Sequence, residues 1–144
     1  MSELKSRIAQ RMVAATLKAA REASLKPVAV AVYDARGALK AFQAEDGTSL
    51  RRGEIAMGKA YGAIALGVPS RTVGAMAVER PHFIAAASHI VDGPLVPAPG
   101  GVLIRDKRGA LLGAVGVSGD LSDKDEAAAL AGITAVGLAA DAGT

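Results

Sequence analysis

The sequence predicts an α+β fold, a central antiparallel β-sheet built from two hairpins and flanked by helices, and three observations predict it. Two apolar runs are each broken by the same turn, Asp34-x-Arg36-Gly37-Ala38-Leu39 and Asp106-x-Arg108-Gly109-Ala110-Leu111. Helical periodicity fills the stretches before, between and after them. The two strand pairs are joined by helices instead of alternating strand by strand with them, which argues against βαβ units. A chain of 144 residues suits one domain, residues 1–144, and is long enough to bury about two-thirds of its unfolded surface.

Each element follows from local chemistry. Leu4 to Ala23 carries Ile8, Met12, Ala15, Leu17 and Ala19 among charges, a helix with one apolar face, and Pro27 closes it. Val28 to Tyr33 is apolar on both faces, as a covered central strand requires. Asp34 and Gly37 then supply a type I turn and a positive φ, so Leu39 to Glu45 returns antiparallel. Leu50 to Leu66 reads as a helix with Ala56, Ala60, Ala63, Ile64 and Gly67 along one stripe, interrupted by Val68-Pro69. Ser70 offers an N-cap for a short helix to Val78, and Pro81 to Ser88 is a candidate for another. The second hairpin pairs Val102 to Ile104 with Leu111 to Val117. Its turn either reuses the same chemistry or marks a true internal repeat. Ser122-x-x-Asp125 has the form of a capping box before a C-terminal helix from Ala127. The predicted order is helix, hairpin, two or three helices, hairpin, helix.

Composition removes several functions. With no Cys, thiolate nucleophiles, Cys-ligated zinc and iron–sulfur clusters are excluded. Hydrophobic residues reach 51% but aromatic ones only 3% (Tyr33, Phe42, Tyr61, Phe83), so the core is built mostly from small aliphatic side chains. High Ala and Gly content with a mean hydropathy of +0.30 leaves more small apolar surface than one globule hides, and a homo-oligomer is expected. The net charge is only +3, with the basic excess in the first 26 residues. Four scattered rings cannot form the stacking platforms of a nucleic-acid binder, so no nucleic-acid partner is expected. The apolar stretch Ala127 to Ala140 is too short to span a bilayer, and Met1-Ser-Glu-Leu-Lys begins without an apolar secretory core. The reading is a cytoplasmic protein with no membrane partner.

Lys59 is the most telling polar residue. The helix row Ile55, Lys59, Gly62, Leu66 sets its ammonium among apolar or absent side chains. It either snorkels to water or is desolvated, with a depressed pKa or an ion pair to a ligand carboxylate. Glu54 and Tyr61 share another row, as an exposed acid above a core ring or as a functional pair. Gly113, Gly116 and Gly119 match neither GxGxxG nor GxxxxGK[ST]; the first two sit inside a strand, whereas Ser118-Gly119 stands at a helix start, where free N–H groups favour a carboxylate. Gly100-Gly101 bares backbone to a ligand or to another chain. His82 and His89 are the only histidines; with Asp92 they form an H-x₆-H-x₂-D pattern of no recognised metal geometry.

Val30-Ala-Val-Tyr-Asp34 with Gly37, Glu54-x₄-Lys59-Ala60-Tyr61, Pro99-Gly-Gly101, and Gly113-x-x-Gly116-Val-Ser-Gly119-x₅-Asp125-Glu126 together resemble the GlcG/HbpS family over nearly the whole chain. The resemblance implies an α+β fold, assembly into dimers or larger oligomers and, as in some members, haem as cofactor. Matched to the family pattern are Lys59-Ala60, Gly100-Gly101, Ser118-Gly119 and Asp125-Glu126. A threonine after a proline in a haem-binding relative falls near the Pro81-His82 step, which makes His82 the first candidate for the iron ligand and His89 the second; one neutral imidazole suffices for haem iron. The leading expectation is a binding protein for haem or a small carboxylate-bearing molecule. Its cofactor site would draw on His82, His89, Lys59, Gly100, Gly101, Ser118, Gly119 and Asp125. The alternative is a small enzyme acting on an oxygenated carboxylic metabolite, with Lys59 or Glu54 exchanging protons. A third is an accessory subunit whose glycines serve packing alone.

Overall fold

The structure, a computed structural model, describes residues 3–143. Along the chain run α1 (Ser6–Glu22), β1 (Ala29–Asp34), β2 (Leu39–Ala44), α2 (Arg52–Leu66), α3 (Ser70–Glu79), α4 (Pro81–Ile90), β3 (Gly101–Arg105), β4 (Leu111–Ser118), α5 (Ser122–Ala135) and β5 (Ala139–Asp141). The sheet order is β2-β1-β4-β3-β5, and every neighbouring pair is antiparallel. This is the expected α+β arrangement of two hairpins, here joined through β1 and β4.

The two turns are built alike. Asp34 Oδ1 accepts the N–H groups of Arg36 and Ala38 at 2.9 and 3.0 Å, and Asp106 Oδ1 accepts those of Arg108 and Ala110 at 2.8 and 2.9 Å. Gly37 and Gly109 take φ of +86° and +87°, a region a side chain resists. Each hairpin slips register beside its turn, between Val32 and Tyr33 and between Ile104 and Arg105. An αL glycine after a type I turn produces such a bulge.

Alternation along the strands divides the core in two. Val30, Val32, Val102, Ile104, Val115 and Val117 face α1 and α5 with Met12, Ala129 and Ile133. Burying each of these valine, isoleucine or methionine side chains contributes about 1.5–3 kcal/mol. The opposite face presents Ala29, Ala31, Tyr33, Leu103 and Ala114 to Ala56, Ala60 and Ala63 of α2. The small residues there bring helix and sheet backbones together: a Cβ on Gly116 would stand 2.0 Å from the Ala56 carbonyl oxygen. The α1–α5 crossing is equally close, with Gly132 against Thr16, whose hydroxyl is buried without a hydrogen-bond partner.

Two local expectations need correction, and one strand is additional to the predicted order. Ser70 is the first residue of α3 and not its cap; Pro69 holds the cap position and the Ser70 hydroxyl instead accepts the Gly101 N–H at 2.6 Å. Ser122 likewise does not cap α5, because Leu121 stands at that position and Asp125 reaches back to the Asp120 N–H at 3.0 Å. The tail after Val136 leaves the helix and forms β5, pairing Ala139 and Asp141 with Arg105 and Leu103. Gly137, at φ +82°, permits that reversal.

Candidate functional site

Two places carry chemistry, on different sides of α2. The first is the Lys59 ammonium, deeper than its sequence row implied, with 3% of the side chain exposed. It donates to the Val117 carbonyl at 2.9 Å and to Asp125 Oδ2 at 3.2 Å. The glycines expected beside it are there. A Cβ on Gly100 would lie 2.8 Å from Lys59 Nζ, and one on Gly101 would lie 2.2 Å from the Lys59 carbonyl oxygen. Gly100 also takes φ of +130°, so the position admits no side chain on either count.

The anion that this pocket of donors receives is the protein's own. Asp125, with 1% of its side chain exposed, accepts from Lys59 through one oxygen and from the Asp120 N–H through the other, and the Gly119 N–H adds to it. Burial pushes the Asp125 carboxyl up against these donors. It pushes the Lys59 ammonium down against the attraction of Asp125, and the Arg52 charge lowers it further. Ser118 is buried and accepts from Arg52 at 3.3 Å. Next to this pair, Arg71 of α3 grips Glu126 through both carboxylate oxygens, at 3.0 and 3.1 Å, and also meets Asp123. The matched positions from Lys59 to Glu126 therefore form one polar seam that fastens α2 and α3 to β4 and α5.

The second place is a cleft of about 500 Å³ between α2, α4 and the first turn. Tyr61, Ile64, Ala65 and Leu66 line it from α2, Phe83, Ala86, Ala87 and Ile90 from α4, with Val91 beyond them and Arg36 and Gly37 from the turn. Its walls are apolar and its one cation is Arg36, mostly exposed and in contact with Asp34 at 3.1 Å. Tyr61 stands edge-on to Tyr33 at 5.8 Å between ring centres.

Neither His82 nor His89 lines this cleft, although both are exposed on α4. Both lie one helix row from it, four residues before and three after Ala86. Glu54 is exposed and pairs with Arg51 at 2.8 Å, away from the Lys59 pair's interior. Among the described residues no cluster of three or more His, Asp or Glu is arranged to hold a metal ion.

Sequence reasoning missed the cleft. Its signal was present in Phe83, Ala86, Ala87 and Ile90, an apolar stripe at i, i+3, i+4 and i+7. Arg36 was legible only as a turn residue.

Comparison with known proteins agrees with this architecture. The solved structure of a PduOC–haem complex superposes with a TM-score of 0.83 at 22% identity, covering 96% of this chain and 99% of that one. The crystal structure of HbpS gives 0.82 at 25% identity, covering 95% and 92%. Klebsiella pneumoniae ORFY gives 0.82 at 23%, covering 94% and 92%. No match is found among curated proteins. A family model described as haem degrading protein HbpS-like matches residues 4–134, and on that match the chain belongs to the HbpS-like family.

Proposed function

We propose that the chain binds haem, or a planar ligand of similar size bearing carboxylates, in the cleft between α2 and α4. The observation that carries this reading is the cleft itself: about 500 Å³, walled by aliphatic and aromatic side chains, with a guanidinium at its rim. That volume lies in the usual range for small-molecule sites, and an apolar pocket with few oriented polar groups is their common form. The residues present fit haem in kind. The walls suit a macrocycle and Arg36 suits a propionate; His82, the first choice for the iron, and His89 stand on α4 one helix row outside the lining, so either would have to turn towards the cleft to present its imidazole. Haem would supply iron-centred redox and ligand chemistry; the protein's own part is to hold the ring, exclude water from its faces and pair its carboxylates. The family's description as haem degrading and the haem in the PduOC complex support the choice of ligand.

Titration with hemin tests it. Saturable uptake of one haem per chain with a shifted Soret band is expected, and His82→Ala alters the spectrum. Non-saturating uptake contradicts the proposal; a spectrum that survives both His82→Ala and His89→Ala contradicts the ligand assignment alone.

Assembly of identical copies in the cytoplasm belongs to the same proposal. The support for assembly is exposed apolar surface at Leu39, Phe42, Leu50 and Val78.

A proton-transfer enzyme is the second reading, favoured by one observation: burial drives Lys59 and Asp125 towards their neutral forms. Such a pair can exchange a proton at Lys59 Nζ. Lys59→Met then abolishes turnover of an oxygenated carboxylic acid, and unchanged turnover excludes Lys59 as the base.

A further inference from the structure

Helix α4 is the least embedded helix of the fold. Among the described residues its backbone packs against α3 and against no other helix or strand. Only Ile84 and Ala87 of its residues are buried. Yet α4 forms one whole wall of the cleft.

It is tied at its two ends. At the first, Arg80 both closes α3 and opens α4 with φ −136° and ψ 68°, a break in the helical path confined to one residue. At the second, Tyr61 of α2 donates its hydroxyl to the Val91 carbonyl at 3.0 Å and lies 3.3 Å from that of Asp92. Val91 caps α4, and Asp92 follows in the left-handed region at φ +52°, uncommon for a residue with a side chain. The Tyr61 ring is itself clamped: a Cβ on Gly37 would lie 3.1 Å from one edge, and a Cβ on Gly93 would lie 2.4 Å from the other. The hydroxyl is thus aimed by a fixed ring at the end of a weakly held helix.

We propose that α4 is a lid over the cleft and that Tyr61 is its latch, a positioning residue that sets how fast a ligand enters and leaves. The inference deepens the binding proposal above and rests on it for the ligand. Terminal carbonyls of a helix have no partner within the helix, so the Tyr61 hydroxyl satisfies one or two of them while the lid is shut. When the lid opens, the Asp92 carbonyl and its exposed surroundings meet water, which takes over the bond. Opening therefore breaks a single exchangeable contact and a short apolar seam without touching the sheet.

Hydrogen exchange on the intact chain without ligand tests the latch, using Tyr61→Phe, which keeps the ring and removes the donor. Amides of α4 should exchange about 2- to 10-fold faster, the ratio that corresponds to losing one such bond, with those of β1 and β4 unchanged. Hemin association and dissociation should both accelerate, with the affinity moving less than either rate. Gly93→Ala, which drives the 91–93 segment off the ring, should reproduce the effect. Unchanged exchange in α4, or an increase spread equally over α4 and the strands, overturns the latch. Faster exchange confined to α4 in a chain that takes up no hemin saturably keeps the latch and removes the ligand reading.

Discussion

Lys59 and Asp125 show how far one residue's environment can depart from its sequence row. The spacing around Lys59 indicated partial burial, because Ile55, Gly62 and Leu66 are on its own helix. It could not reveal Asp125, which is 66 positions away and arrives through the packing of α5. Removing either partner alone leaves a buried charge uncompensated, so Lys59→Met or Asp125→Leu should cost about 3–5 kcal/mol. Replacing both together should recover most of that loss in urea unfolding; an additive loss would mean that the two do not act as a pair. The pH dependence has a defined sign. Asp125 is raised above 3.8, so its contribution is present below 3.8 and declines as pH rises through the folded value. Lys59 is lowered below 10.5, so its contribution is present above 10.5 and is lost as pH falls through the folded value. Between those limits the pair contributes least, and the double variant should show a flatter stability profile there. An identical profile in both proteins would count against the burial of the pair as its cause.

Elements in this protein meet through missing side chains. The sequence already marked Ala56, Ala60 and Ala63 as one stripe and Gly116 as a glycine inside a strand, and α2 packs on the sheet there. Gly116→Ala should therefore cost about 1–3 kcal/mol or more by overpacking, readable as a lowered thermal midpoint. The α1–α5 contact was not legible, since neither helix names its partner. A Cβ at Gly132 would fall 1.9 Å from the Thr16 hydroxyl oxygen. Gly132→Ala should destabilise the chain, and adding Thr16→Ala should return part of the loss, because the second change removes both the clash and a buried unpaired hydroxyl. Strict additivity would show that the helices adjust independently. The hairpin turns were the most legible elements, because Asp and Gly at fixed offsets specify their own hydrogen bonds. For Asp106 the Ala110 N–H leads in holding the carboxyl below its usual value. Acid unfolding of Asp106→Asn should accordingly lose part of the dependence that the native chain shows as pH falls through that lowered value.

At the scale of the molecule, topology divides the labour. The polar seam from Lys59 to Glu126 fixes α2 on the sheet, and the far side of the same helix forms a wall of the cleft. The α+β class and the family were legible because they depend on local turns and on the order of short motifs. The cleft was not, because it arises where α4 folds back over α2 and the β1–β2 turn, a relation that no window of sequence contains. That placement of the ligand site is the central claim, and blocking the cleft tests it most directly. Ala86 is an exposed lining residue, so Ala86→Trp should fill the space without disturbing the core. Optical titration of this variant with hemin, beside the native chain, is the decisive measurement. A loss of affinity of about tenfold or more, equivalent to 1.4 kcal/mol, with an unchanged thermal midpoint, is the predicted result; native affinity with the same shifted Soret band as the native chain would contradict it.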